Sequence, residues 1–232
     1  MAENTEHLTT FIWPAGRSSA IAYMDNVFTE KFCSSLINFC EDNSDQCIQG
    51  KTLGGVKLDT KVSYDWYLEQ PQDIPQNKSQ EFDKRIFTKL WEVLSLYKNT
   101  IAQLSNSTNA EFCMINDTGY QIQKYPKNTG FYNEHIDGAP WTGVAARRTL
   151  GVIVYLNTVE KGGGTAFPAH DCIVDAVAGR VAIFPASWTH PHCGLMPVSS
   201  DKWIVSTFVE SSGSNASQCG PECLYCGTGA HS

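Results

Sequence analysis

A chain of 232 residues, 42% hydrophobic and 18% charged, is long enough for one large folded domain and short for two. Its net charge of -7 argues against nucleic acid as a partner, because phosphate binding needs a basic surface. The chain has no apolar run near the roughly 20 residues that span a membrane, and no apolar signal segment is predicted in residues 1–17. We therefore expect a cytoplasmic protein with no membrane partner.

The N-terminal half is predicted to supply helices and a few strands. A short strand is predicted at residues 21–27, and Thr29 is a candidate N-cap of a helix that ends near Asn43. Residues 56–69 have the β-branched and aromatic content of strands. The strongest predicted helix covers residues 79–104, because its apolar residues recur about every 3.6 positions: Phe82, Ile86, Leu90, Val93, Leu94, Tyr97 and Ile101.

From about residue 110 the sequence becomes rich in strands. Short β-branched and aromatic runs alternate there with Gly, Pro, Asn and Asp. Many short strands in succession predict a sandwich or a barrel. We therefore divide the chain into an arm at 1–20, a single domain at 21–210 and a cysteine-containing tail at 211–232. Within the domain, residues 21–109 are predicted to support a β-rich core at 110–210.

One short motif in the β-rich part has the chemistry of a metal site. His135 and Asp137 are two residues apart at the end of a predicted strand, so their side chains point the same way. A histidine from a distant strand would complete a face of two imidazoles and one carboxylate, the ligand set of non-haem Fe(II) oxygenases. Spacing alone leaves both His190 and His192 open, and His170 is more typical of a solvated loop. Taken by itself, the first pair is also compatible with a surface turn.

A fixed positive charge follows the second histidine, since Lys202 lies ten residues after His192. With these residues, the stretch 120–209 resembles the 2-oxoglutarate/Fe(II) dioxygenase superfamily, and more narrowly its collagen-type prolyl 4-hydroxylase branch. A lysine at position 202, rather than an arginine, favours that branch. The motifs that carry the resemblance are residues 131–137, 148–157, 162–168, 179–185 and 192–204.

The resemblance implies an α+β fold that is mainly β. This is a double-stranded β-helix, or jelly roll, which carries the iron and is supported by N-terminal helices. His135, Asp137 and His192 are implied to be the catalytic iron ligands. The family separates its distal histidine from its lysine by ten positions, which favours His192 over His190. Lys202 is implied to pair with the distal carboxylate of 2-oxoglutarate.

The same resemblance assigns four further side chains. Thr165 and Tyr125 match the hydroxyl groups that hydrogen-bond the carboxylate of 2-oxoglutarate. Arg148 and Tyr132 match positions near the proline of the peptide substrate, with a rim salt bridge and packing on the sheet as alternative roles. Phe208 stands where the collagen-type pattern usually has Trp, a departure that concerns the substrate pocket.

The chemistry implied by the resemblance is a hydroxylation that uses Fe(II), 2-oxoglutarate and O2, with ascorbate as a further candidate cofactor. The expected substrate is proline in a peptide or protein, hydroxylated at its 4-position with release of succinate and CO2. One alternative is the same chemistry on a free amino acid or on another side chain. The other is a non-catalytic jelly-roll binding module. Asp137 argues for hydroxylation, because related halogenases replace this carboxylate with a small residue.

The nine cysteines are expected to be mostly reduced, since no secretory segment is predicted. Their odd number excludes a complete disulfide framework. The last three, Cys219, Cys223 and Cys226, could form a structural zinc site with His231. A tail with free thiols is the alternative, and the family resemblance does not extend to this segment.

Overall fold

The computed structural model describes residues 10–70, 77–104, 114–138 and 143–211. Outside these ranges lie the candidate zinc ligands of the predicted tail, so that zinc site stays a prediction: Cys219, Cys223, Cys226 and His231. The described residues contain two α-helices, and neither is both long and apolar enough to cross a membrane. Most of the other described elements are strands, as the sequence predicts.

The helices lie in the N-terminal half and most strands lie after them. This half holds α1 (Glu30–Asp42), α2 (Lys78–Leu104), β1 (Ala22–Met24), β2 (Ile48–Gln49), β3 (Lys61–Val62) and β4 (Tyr64–Tyr67). The next strands are β5 (Met114–Asp117), β6 (Gln121–Tyr125), β7 (Phe131–His135), β8 (Arg148–Tyr155) and β9 (Thr165–Phe167). The last are β10 (Cys172–Val174), β11 (Val181–Pro185), β12 (His192–Gly194) and β13 (Lys202–Ser211). Short 3-10 helices lie at Arg17–Ser19, Ser44–Gln46, Gly143–Arg147 and Pro168–His170.

The start of α1 is held by a side-chain cap. Thr29 has an extended backbone, and its hydroxyl oxygen accepts a hydrogen bond from the Phe32 backbone N–H at 3.2 Å. That bond satisfies one of the amide groups that have no partner in the first turn of a helix. The predicted N-cap is therefore confirmed.

The strand pairs of the described residues are antiparallel and form two sheets. The larger sheet has the order β1-β11-β8-β13-β6-β4-β2, and β5 also pairs with β13. The smaller sheet has the order β10-β9-β12-β7-β3. In both sheets, strands that are far apart in the chain lie side by side. Long-range pairing therefore assembles the region that contains the predicted site.

Alternate residues of β8 face two different parts of the core, as expected from the two-residue period of a strand. Val152 and Val154 belong to a cluster that includes the buried faces of α1 and α2. Ile153 and Tyr155 belong to a second cluster, which also contains Phe167 from the smaller sheet. Because the second cluster draws on both sheets, the two sheets face each other. The predicted fold, mainly β with a jelly-roll core and supporting helices, is confirmed.

The described part of the predicted arm packs against the rest of the fold. The rings of Phe11 and Trp13 lie with their centroids 5.7 Å and 6.0 Å from that of Tyr97 on α2. Ile12 exchanges two backbone hydrogen bonds with Tyr23 of β1. These contacts cover the end of α2, while the division of the chain into arm, domain and tail stays a prediction.

The cap at Thr29 predicts a change in stability. Thr29→Ala should lower the free energy of unfolding by about 1 kcal/mol, because a first-turn amide loses its acceptor. Thr88 of α2 is a matched control, since its exposed hydroxyl only donates back to the Lys84 carbonyl. Thr88→Ala should cost nothing, because alanine is the better helix former. Urea unfolding followed by circular dichroism measures both variants, and equal losses would contradict the capping role.

Candidate metal centre and its cavity

Three predicted ligands meet where β7 and β12 pair. His135 ends β7, Asp137 follows two residues later, and His192 begins β12 directly opposite His135. Asp137 lies between the two imidazoles, with Oδ1 3.4 Å from His135 Nε2 and Oδ2 3.4 Å from His192 Nε2. The ligand atoms of the three side chains all lie within 4.8 Å of one another. They are therefore close enough to share one metal ion.

Hydrogen bonds behind the two imidazoles orient them for metal binding. His135 Nδ1 lies 2.8 Å from the Asn133 carbonyl oxygen, and His192 Nδ1 lies 3.1 Å from the His190 carbonyl oxygen. A carbonyl can only accept, so each Nδ1 carries the proton and each Nε2 presents a lone pair. Burial lowers the pKa of His192, which favours the neutral form that binds metal. Burial alone would raise the pKa of Asp137, but His192, His135 and Arg148 beside it outweigh burial and hold that pKa below its usual value.

The two competing histidines lie outside this group of ligands. His190 Nε2 lies 2.6 Å from the Ser19 carbonyl oxygen, and its Nδ1 lies 2.9 Å from the Thr189 hydroxyl. His170 stacks on the His190 ring with centroids 4.5 Å apart. His190 also lies before β12, which begins at His192.

A close approach of backbone makes room for Asp137. A Cβ atom placed on Gly151 of β8 would lie 2.9 Å from Asp137 Oδ2 and 2.5 Å from the ring of Phe184. Only glycine leaves space for the carboxylate at this point, and the Gly151 position therefore matters to the metal centre.

A cavity of about 280 Å³ opens beside the three ligands. Every site residue predicted from the sequence lines it: His135, Asp137, His192, Lys202, Thr165, Tyr125, Arg148 and Tyr132. The structure thus brings together side chains from β6, β7, β8, β9, β12 and β13, which come from both sheets.

The base of the cavity holds a buried cation without an ionic partner. Lys202 is 2% exposed, and among the described residues no carboxylate forms an ion pair with it. Its Nζ lies 4.4 Å from the centroid of the Tyr125 ring. Burial lowers the pKa of Lys202 to about 7. An anion that entered the cavity would supply the missing counter-charge and restore the charged form.

The two predicted hydroxyl groups already have partners within the protein. Thr165 Oγ1 lies 2.7 Å from the Tyr155 hydroxyl, a fully buried group behind the cavity wall. The Tyr125 hydroxyl donates to Gln123 Oε1 at 2.7 Å, and burial raises its pKa well above the usual value. Either hydroxyl of the Thr165–Tyr155 pair can donate, and Tyr155 also lies 3.3 Å from the Val174 carbonyl oxygen. When Tyr155 donates to Thr165, the Thr165 proton is free for a ligand, whereas the Tyr125 proton is engaged by Gln123.

The predicted substrate residues lie at the side of the metal ligands. The Tyr132 ring stacks on the His135 ring, with centroids 3.6 Å apart and an angle of 17° between the planes. Arg148 donates to the Asp137 carbonyl oxygen at 3.1 Å, and its guanidinium carbon lies 3.7 Å from the centroid of the Phe208 ring. The buried Nε of Arg148 has no acceptor among the described residues. This N–H remains available for a ligand.

Sequence reasoning missed a buried ion pair beside the cavity. Lys61 Nζ lies 3.3 Å from Asp65 Oδ2, and the two side chains are 2% and 0% exposed. Gln121 and Gln123 of β6 line the cavity beside this pair. The pattern of residues 56–69 predicts strands but carries no sign that these charges are buried.

The comparisons with known proteins agree with this geometry. Residues 120–210 match the family model of the 2OG-Fe(II) oxygenase superfamily, which confirms the resemblance seen in the sequence. The matched stretch covers the β-rich part of the chain, from β6 to β13. No curated protein sequence matches the chain.

Solved structures of prolyl hydroxylases share the fold. A viral collagen prolyl hydroxylase from Paramecium Bursaria Chlorella virus-1, in a 2OG complex, is 19% identical with a TM-score of 0.60, covering 84% of this chain and 98% of that chain. A Pseudomonas putida prolyl-4-hydroxylase is 15% identical with a TM-score of 0.59, covering 84% and 94%. A Trichoplax adhaerens prolyl hydroxylase, bound to a hypoxia inducible factor peptide, is 13% identical with a TM-score of 0.64, covering 84% of each chain. At these identities the likeness establishes the fold.

The residues present fit Fe(II) and 2-oxoglutarate. Two imidazoles and one carboxylate form the ligand face that non-haem Fe(II) oxygenases use, with further positions open for other ligands. The unpaired charge of Lys202 in the same cavity matches a dicarboxylate that has one end free of the metal.

The ligand geometry predicts the effect of removing single side chains on metal binding. His135→Ala and Asp137→Ala should each weaken Fe(II) binding by more than about 100-fold. Removing a residue that only hydrogen-bonds a metal ligand typically costs about 10- to 100-fold, and removing the ligand itself should cost more. His170→Ala is the control and should bind as the parent protein does, since His170 contacts the Thr189 carbonyl and the His190 ring and neither is a ligand. Anaerobic dialysis followed by metal analysis measures all three. Full iron binding by either ligand variant would rule out this centre.

Proposed function

We propose that this chain is a 2-oxoglutarate- and Fe(II)-dependent dioxygenase that hydroxylates proline, at its 4-position, in a peptide or protein. The observation that carries the proposal is the combination of a three-ligand group with a buried, unpaired lysine in one cavity. Metal ligands alone fit many enzymes, and a buried lysine alone has many explanations. Together they fit a site that binds a metal and a dicarboxylate side by side.

His135, Asp137 and His192 would hold the iron. When bound, Fe(II) together with 2-oxoglutarate and O2 supplies the oxidising chemistry that hydroxylates a C–H bond and converts 2-oxoglutarate to succinate and CO2. The protein's part is to keep the ligands in place. The carbonyl groups of Asn133 and His190 do this for the imidazoles by fixing their tautomers.

Lys202 and Thr165 would bind the far carboxylate of 2-oxoglutarate. A charge-assisted contact between ammonium and carboxylate is stronger than a neutral hydrogen bond, and a buried charge needs such pairing. Thr165 pairs with Gly194 across β9 and β12, beside the start of β13 in the cavity, and its hydroxyl can donate to the same carboxylate. Tyr125 is the other predicted contact, but its proton is engaged by Gln123.

Arg148 and Tyr132 would contact the peptide at the mouth of the site. The free N–H of Arg148 offers a donor for a peptide carbonyl, and the Tyr132 ring covers one ligand of the iron. Phe208 supports Arg148 by stacking where the collagen-type pattern has Trp. The viral enzyme is named a collagen prolyl hydroxylase, and the Trichoplax enzyme is bound to a hypoxia inducible factor peptide. We extend a peptide or protein substrate to this chain as part of the proposal. We also propose that it acts without nucleic acid or membrane, in the cytoplasm.

The charge of the cavity lining indicates which net charge the proposed peptide substrate should carry. The lining includes one acidic residue, Asp137, and four basic residues: Lys51, Lys61, Arg148 and Lys202. Lys61 is already paired with Asp65, so three basic residues stand against one acidic residue. Iron and 2-oxoglutarate carry opposite charges of equal size, so they leave this excess unchanged. Complementary charge favours a neutral or acidic peptide over a basic one.

Mass spectrometry of peptides tests the proposed reaction. With Fe(II), 2-oxoglutarate and O2, a proline-containing peptide should gain the mass of one oxygen atom on proline, with one succinate released per product. Three matched peptides should carry Glu, Gln or Lys beside proline. The peptide with Glu should be hydroxylated fastest, the one with Gln more slowly, and the one with Lys slowest. Succinate release without peptide product would point to a free amino acid or another side chain. No turnover with any substrate would favour a binding module and sink the enzyme proposal.

Lys202 predicts a specific kinetic defect. Lys202→Ala should raise the KM for 2-oxoglutarate by about 10- to 100-fold, because a hydrogen bond to a charged group contributes about 1.5–3 kcal/mol. Lys124→Ala is the control, since Lys124 is not part of the cavity lining and its Nζ pairs with Asp201 at 3.2 Å. The KM of the Lys124→Ala variant for 2-oxoglutarate should not change. Steady-state succinate release measures both, and an unchanged KM in Lys202→Ala would contradict the assigned role.

A further inference from the structure

A row of hydrogen bonds runs along one wall of the cavity from β4 to β6. Gln121 Nε2 donates to Asp65 Oδ2 at 2.8 Å, and Gln123 Nε2 donates to Gln121 Oε1 at 2.7 Å. The Tyr125 hydroxyl then donates to Gln123 Oε1 at 2.7 Å. The three β6 residues alternate along the strand, so their side chains share one face. We call these four residues the amide relay.

The direction of each bond in the amide relay follows from the charge at its end. An ionised carboxylate only accepts, so Gln121 must turn its amino group toward Asp65. The oxygen of Gln121 then faces Gln123, and Gln123 must donate a hydrogen bond to it from its own amino group. This leaves the Gln123 oxygen for Tyr125. The single hydroxyl proton of Tyr125 is therefore drawn toward Gln123.

Burial raises the pKa of Asp65, and the neighbouring donors act against that shift. Lys61 Nζ lies 3.3 Å from Oδ2, and Ser63 Oγ donates to Oδ1 at 2.8 Å. With Gln121, three donors converge on one buried carboxylate, and hydrogen bonds of this kind favour its ionised form. The direction of the amide relay is thus set at its start.

Tyr125 lies beside the place proposed for the far carboxylate of 2-oxoglutarate. It pairs with Lys202 across β6 and β13, and Lys202 Nζ lies 4.4 Å from the centroid of its ring. A carboxylate bound by Lys202 would meet the acceptor lone pairs of Tyr125, because the proton is committed to Gln123.

We propose that Asp65 is a positioning residue that, through the amide relay, keeps the Tyr125 proton away from 2-oxoglutarate. The far carboxylate is then held by Lys202 and Thr165, and the Tyr125 ring serves as a wall over which the Lys202 charge lies. This gives Tyr125 a different role from the hydrogen-bond donor predicted from the sequence. The inference rests on the proposed function, since it concerns the binding of that co-substrate.

Binding of 2-oxoglutarate tests this role without turnover. The full chain is loaded with Mn(II), O2 is excluded, and equilibrium dialysis with radiolabelled 2-oxoglutarate gives the dissociation constant. Tyr125→Phe should weaken binding by less than about threefold, because no hydrogen bond to the ligand is lost. A loss of about tenfold or more would show that Tyr125 donates to the ligand and would overturn the inference. If the parent protein binds no 2-oxoglutarate, the proposed function fails and this inference fails with it.

A second set of variants tests the control by Asp65. Lys61→Met with Asp65→Asn replaces the ion pair by neutral groups, which allows the amide relay to reverse and frees the Tyr125 proton for the ligand. In that background Tyr125→Phe should weaken binding by about tenfold. Adding Gln121→Glu to this double variant places a carboxylate at the next position of the amide relay. Gln123 must then donate to it, so the Tyr125 proton is again drawn toward Gln123. The effect of Tyr125→Phe on 2-oxoglutarate binding should return to less than about threefold.

The dependence on background separates positioning from simple support of the fold. A structural role would make the Tyr125→Phe effect equal with and without the relay charge, and that equality would overturn the inference. Thermal unfolding shows whether each variant folds. If the Lys61→Met, Asp65→Asn protein does not fold, the Tyr125→Phe result in the parent protein still decides whether Tyr125 donates to the ligand.

Discussion

The antiparallel pairing of β7 with β12 is the interaction on which the metal centre depends. It places His192 opposite His135, although 57 positions separate them in the chain. The register then shifts, so that Gly194 lies opposite Tyr132 and β7 carries one more residue than β12 over this stretch. Such a bulge bends a strand and redirects its side chains. The bulge lies just before His135, which faces His192, and the chain then continues to Asp137. Gly151 of β8 leaves the space into which the Asp137 carboxylate fits.

How far the sequence predicts the fold depends on how local each signal is. The helix expected at residues 79–104 is α2, Lys78–Leu104, and the strands expected at residues 56–69 include β3 and β4. Both signals lie within the segment itself, as periodicity and β-branched content. The site residues could be predicted from the spacing of the family motifs, because that spacing is tied to side chains that meet in the folded protein. The alternation of side chains along a strand left His190 and His192 open, whereas the ten-residue spacing of the family before Lys202 favoured His192. The structure agrees, because His190 contacts Ser19 and Thr189 instead of the other ligands.

The buried pair of Lys61 and Asp65 could not be predicted, for a physical reason. A charged residue in a strand is ordinarily solvent-exposed, so Lys61 and Asp65 carry no local sign of burial. They become buried only because β3 pairs with β7 in one sheet while β4 pairs with β6 in the other. The direction of the hydrogen bonds along β6 is still less visible in the sequence. It is a property of the whole row, fixed by one carboxylate, and no residue in the row shows it alone.

The two buried lysines of the cavity show how the protein distinguishes structure from binding. Lys61 has a permanent partner in Asp65, and the pair links strands of both sheets. Breaking such a pair on one side leaves an uncompensated buried charge, so it acts as a fixed part of the wall. Lys202 is equally buried, yet no acid among the described residues faces it, and burial lowers its pKa. That cost is offset only when an anion arrives. A buried cation that has its partner belongs to the fold, and one that lacks it marks the end of the cavity where a carboxylate is expected to bind.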